Sequence, residues 1–158
     1  MLRSAALLFA GLLSTAGSLS PRTATADGVP SVTNTDDKIV VMVHGLRNNR
    51  GSVRCMLYNG AQDFPENERL IIARVRAVPT ANGARCVFDR PARGHDFAVV
   101  VHHDENDDAV FQRGTFGIPL EGYGFSNDVR PVLSAPSFTQ CRFHFAGGTS
   151  ILRVAALY

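Results

Sequence analysis

From Lys38 onward the chain alternates apolar and polar residues in short runs broken by glycine, proline and asparagine, the rhythm of β-strands. Ile39 to Val43 is apolar on both sides, which suits a strand covered on both faces or lying at a folded-over edge. Asn48-Asn49-Arg50-Gly51 supplies residues that tolerate positive φ, so Ser52–Asn59 is expected to return as a hairpin partner. In that run Val53, Cys55 and Leu57 face one way, and Arg54, Met56 and Tyr58 the other. Gln62 to Asn67 reads as a loop, with room for a helical turn after Pro65 and with Phe64 plugging the core edge.

Leu70–Val78 then sets Ile71, Ala73, Val75 and Ala77 against Arg74 and Arg76, a half-buried strand. Two further strands are predicted at Ala84–Asp89 and His95–His103, with Cys86, Phe88, Phe97, Val99 and Val101 inward. Residues 104–138 carry acids, glycines and three prolines and show no strand-length alternation; irregular stretches of that length in a compact domain are usually functional or partly structured. The end of the chain predicts a hairpin, Thr139–Ala146 and Thr149–Leu157 about a Gly147-Gly148 turn. No helical period separates these runs. The fold class expected is all-β, an antiparallel β-sandwich of about seven strands.

The N-terminus follows a different pattern. Arg3, an apolar run from Ala5 to Leu13 and a small-residue stretch ending Ala24-Thr25-Ala26 have the layout of a cleavable signal peptide, and the apolar run is too short for a membrane span. The organisation expected is therefore 1–26 signal peptide, 27–37 flexible leader and 38–158 a single β-sandwich domain, with the product periplasmic or extracellular. No membrane span is expected after cleavage. Excluding residues 1–26 leaves 132 of the 158 residues and lowers the formal charge from +2 to 0, because Arg3 and Arg22 go with them. With no basic run, nothing points to nucleic acid as a partner.

Export changes how Cys55, Cys86 and Cys141 are read. In an oxidising compartment one pair closes, and Cys55 with Cys86, both inward on short strands, is the expected disulfide. Cys141 is then a buried free thiol on the inward side of an alternating strand.

One polar cluster stands out, His102-His103-Asp104-Glu105-Asn106-Asp107-Asp108. Asp104, Asn106 and Asp108 recur at every second residue, like the opening of a calcium loop, but Ala109 stands where the turn glycine belongs and Thr115 where the bidentate acid belongs. No cofactor is expected other than calcium at this loop; the competing reading is a solvated acidic loop whose like charges repel. His102 and His103 should project to opposite faces. In Gly117–Asp128 the glycines allow close backbone approach, and neither a phosphate loop nor a nucleophile elbow is formed.

Gly45 through Gly51, Cys55 through Asn59, Phe64-Pro65, His103-Asp104-Glu105-Asn106 and Gly117 through Asn127 together resemble the bacterial exported family called domain of unknown function 2141. The resemblance spans about residues 38 to 157. It implies a transthyretin-like or prealbumin-like sandwich in the periplasm or outside the cell, and no assigned activity. Many members follow H-D-E-N with a glycine- and asparagine-rich run ending in aspartate, from which Asp107 to Gln112 departs. The expected function is a non-enzymatic binding or accessory module acting through residues 104–128, with an envelope protein or a small ligand as partner. The residues expected to carry it are His103, Asp104, Glu105, Asn106, Glu121, Tyr123, Phe125, Ser126 and Asn127. A calcium-stabilised structural domain is the alternative, and a hydrolase using His103 with Asp104 or Glu121 lacks a nucleophile.

Overall fold

The structure is a computed structural model that describes residues 36–132 and 134–158. The expected signal peptide and most of the expected leader lie outside the described residues. Among the described residues eight strands are formed: β1 (Lys38–His44), β2 (Ser52–Tyr58), β3 (Ile71–Ala77), β4 (Ala84–Asp89), β5 (His95–Asp104), β6 (Gly122–Phe125), β7 (Phe143–Phe145) and β8 (Thr149–Ala155). A single α-helical turn, α1 (Phe138–Cys141), precedes β7. The strands make two sheets. One has the order β4-β1-β8; the other runs β3-β2-β5-β6, with β7 paired to one end of β5.

The alternation read from the sequence dictates what lies between the sheets. Ile39, Val41 and Val43 of β1 meet Val53, Cys55 and Leu57 of β2 and Phe97, Val99 and Val101 of β5, all nearly or fully buried. Burying a side chain of this kind contributes about 1.5–3 kcal/mol. Cys55 and Cys86 form a disulfide, tying β2 in one sheet to β4 in the other. A smaller cluster covers part of the outer face of the five-stranded sheet, where Phe138 and Cys141 of α1 pack on Tyr58, Ala98 and Phe125, with Phe64 against them.

Three expectations are corrected. β1 and β2 do not form a hairpin: β1 takes β4 on one side and β8 on the other, and Gly45–Gly51 carries the chain across to the second sheet. Their apolar faces thus meet across the core instead of lying side by side. The C-terminal hairpin is not formed either, since β7 pairs with β5 whereas β8 runs parallel to β1 in the opposite sheet. Cys141 lies on α1, not on a strand. Ser137 and Gln140 close a reciprocal capping box at the start of that turn, satisfying backbone donors that a strand would have paired elsewhere. Asp37, the last residue of the expected leader, is buried and accepts from Arg93 Nε at 2.5 Å, from Arg93 Nη2 at 2.9 Å and from Gly148 N.

Candidate functional site

The outer face of the five-stranded sheet is set by register. Arg76, Arg54, His102 and Tyr123 stand in one row across β3, β2, β5 and β6, and Arg74, Met56, Val100 and Phe125 in the next. Side chains at paired positions share a face, so the face runs from arginine at the β3 edge to aromatic at β6. His103, one residue along from His102, points inward. It is fully buried, with Nδ1 2.7 Å from the Tyr158 hydroxyl and Nε2 3.0 Å from the Arg50 carbonyl.

Residues 105–112 fold over this face around two buried carboxylates. Asp104 accepts backbone N–H bonds from Asp108 and Ala109 and faces Arg54 Nε at 2.6 Å. Glu121 accepts from the N–H groups of Glu105 and Gln112 and faces His102 Nε2 at 2.8 Å. The loop is anchored from both ends. Glu105 binds Arg47 and Asn48 at 2.8 and 2.7 Å, and Asp107 binds Ser52, Arg54 and Arg76.

The like charges along this run are offset: Asp104, Glu105 and Asp107 each meet an arginine brought from another strand or loop, and Asp108 accepts from Val110, Asn106 and Gln112 of its own loop. Burial pushes Glu105 up, but its bonds from Asn48 and Arg47 outweigh that and hold the carboxyl below its ordinary range. Bonds from Ser52 and Arg76 hold Asp107 low, and the Val110 N–H and the Asn106 side chain do the same for Asp108.

Asp104, Asn106 and Asp108, the residues of the expected calcium-loop opening, all use side-chain oxygens as hydrogen-bond acceptors within the loop. Both Asp104 oxygens take N–H donors, Asn106 Oδ1 accepts from Asp108 N, and Asp108 accepts from Val110 N and from the Asn106 and Gln112 side chains. His102, Asp104 and Glu121 offer a second possible ligand set, their ligand atoms lying within 4.8 Å of one another. Those two carboxylates also accept from Arg54 and from four backbone N–H groups.

Beside this loop lies a cleft of about 820 Å³. Its floor is the two-row sheet face, and Phe111 and the Phe116–Pro119 segment wall it on one side. Phe111 stacks edge-on against His102 and Tyr123, which fixes the wall to the floor.

The glycines of the last motif serve close approach. A Cβ at Gly124 would lie 2.6 Å from the Ala155 carbonyl oxygen, so only glycine lets β6 pass β8 there. At Gly51, with φ +65°, a Cβ would lie 1.9 Å from the Asp104 carbonyl oxygen.

The family of uncharacterized proteins conserved in bacteria designated DUF2141 matches residues 41–152. The chain belongs to that family. No curated protein and no solved structure matches it.

In this DUF2141 domain the segments that mark the family fall into two groups. His103, Asp104, Glu105, Glu121 and Tyr123 converge at one end of the five-stranded sheet, and Asn106 bonds Asp108 in the same loop. Ser126 and Asn127 stand apart, while Phe125 joins the two groups, its ring edge-on to Tyr123. Ser126 is buried between Val99 and the Cys141 carbonyl, Asn127 donates to the carbonyls of Gln140 and Arg142, and Phe125 lies in the small cluster under α1. Sequence reading left out Arg47, Arg54, Arg76, Phe111 and Tyr158. The outward arginines of β2 and β3 were visible as a pattern, but which acids they would meet was not.

Proposed function

We propose that this DUF2141 domain is an exported, non-enzymatic module that binds a small ligand in the cleft beside residues 105–120. What supports the reading is the cleft itself, whose volume falls within the range typical of small-molecule sites, about 300–1,000 Å³. Its floor rests on paired strands and its wall on a loop held by two buried carboxylates, so the site needs little ordering on binding. His103 is buried on the inward side of β5 and does not line the cleft, which separates it from anything bound there. Removal of residues 1–26 and residence in the periplasm or outside the cell complete the proposal, supported by the disulfide that joins the sheets. Among the described residues no helix is long and apolar enough to cross a membrane.

The neutral apolar dye Nile red tests the cleft. One saturable site per chain is expected, lost in the Met56→Gln/Val100→Gln double variant, with melting of both proteins followed to confirm folding. Absence of a saturable site, or equal binding by the variant, would overturn the reading. N-terminal sequencing of exported protein should begin Asp27-Gly28-Val29; an intact Met1 in that pool would remove the export part of the proposal.

A further inference from the structure

The cleft is polar at one side and apolar at the other, and the division follows the strand register. Arg74 and Arg76 stand on the β3 side, while Val100, Tyr123 and Phe125 lie toward β6. Four arginines line the cleft (Arg54, Arg74, Arg76 and Arg113) against two carboxylates, Glu66 and Glu68. With Asp104 and Asp107 beside the lining, each guanidinium group has a carboxylate partner, so what separates the four is how firmly that partner is held.

The four arginines are not equally free. Arg54 faces the fully buried Asp104, and with Arg76 it brackets Asp107. These two are committed to holding the loop. Arg74 and Arg113 pair instead with Glu68 and Glu66, whose side chains are 80% and 67% exposed, and Arg113 also lies over the Phe111 ring at 5.3 Å, where the apolar wall begins. Exposed ion pairs of that kind contribute about 0–1 kcal/mol, so an incoming anion displaces such glutamates into solvent at little cost.

At the mouth, Phe116 is 96% and Val132 91% exposed, and both line the cleft. Apolar side chains that exposed gain most from an occupant that covers them. An ion without a chain would leave them wet, and a cation would meet guanidinium groups.

Building on the cleft reading above, we infer that the ligand is an amphipathic anion, an apolar chain ending in one carboxylate or phosphate. The head lies at Arg74 and Arg113; the chain lies over Met56 and Val100, against Phe111 and Ile118.

Isothermal titration of the intact exported protein with dodecanoate, dodecyl phosphate, dodecanol, dodecyltrimethylammonium and acetate, all below micelle concentration, tests this. Dodecanoate and dodecyl phosphate are expected to bind one per chain, about tenfold or more tighter than dodecanol or the cation, and acetate not at all. Arg74→Gln with Arg113→Gln should cut dodecanoate affinity about tenfold, leave dodecanol binding unchanged and leave the melting temperature close to that of the parent. Dodecanol binding as tightly as dodecanoate would overturn the inference while leaving the cleft reading intact. If no chain-bearing ligand saturates a single site, both fall. Association with phosphatidylglycerol vesicles without binding of the free anions would also overturn it, pointing to a lipid surface in place of a single ligand.

Discussion

Glu121 takes three donors at once, the His102 ring and the N–H groups of Glu105 and Gln112, at a position almost closed to water. Removing the carboxylate strands those donors, and a buried polar group left without a partner costs about 1–3 kcal/mol. Glu121→Ala is therefore expected to lower stability by about 3 kcal/mol or more, read from urea unfolding midpoints, with Glu121→Gln intermediate because one acceptor oxygen remains. Asp104 follows the same logic with the opposite sign to what its acidic neighbours suggest. Repulsion along the sequence implies that Asp104→Asn should stabilise; burial beside Arg54 implies that it should destabilise, since it leaves a guanidinium facing a neutral amide. The second outcome is expected. Melting curves in calcium chloride and in sodium chloride of matched ionic strength should coincide, because the Asp104, Asn106 and Asp108 oxygens are already engaged.

β2 and β4 belong to different sheets, and Cys55–Cys86 is a covalent tie between them, with 31 residues of sequence separation. In the chain-entropy picture a loop of that length contributes about 3–4 kcal/mol. Cys55→Ala with Cys86→Ala should lower the unfolding free energy by about that amount, less any gain from relieved strain or residual structure in the unfolded chain. α1 supplies a companion test. Burial under that turn pushes the Cys141 thiol up to about 11, so little thiolate exists near neutrality. Iodoacetamide should leave the folded chain unlabelled, add one label after unfolding without reductant, and yield a peptide map linking Cys55 to Cys86. A label on the folded protein, or Cys141 in the bridge, would contradict this placement. β6 is the element that alternation alone cannot reveal: glycine occupies alternate positions of Gly-Tyr-Gly-Phe, so no apolar period appears, yet that absence of side chains is what lets it lie close to β8.

Across the domain, acids held low by their partners set the response to pH. Asp37 is held down by Arg93, and Glu105, Asp107 and Asp108 by the contacts described above. Each folded-state value lies below the unfolded one, so the stability they contribute is complete above the ordinary carboxylate range and is lost as pH falls through the folded values. The denaturation midpoint should stay level from neutrality to about pH 5 and fall steadily below about pH 4, with a shallower fall in Asp107→Asn. At the alkaline end Tyr58, raised to about 12 chiefly by burial, favours folding while neutral and withdraws that support between its ordinary value near 10 and 12. How much of this was legible follows from what alternation encodes. It specifies which face of a strand is apolar, and so β2 to β5, the inward cysteines and the sandwich class could be read from Val53, Cys55, Leu57 and their counterparts. It does not specify a strand's neighbour, because either sheet can bury the same face; hence β1 was paired with β2 and β7 with β8, and both strands in each pair belong to different sheets. The site is less legible still. Asp104 meets Arg54 across 50 residues and Glu105 meets Arg47 across 58, so whether an acidic run repels itself or clamps a loop is decided only when distant strands come into register.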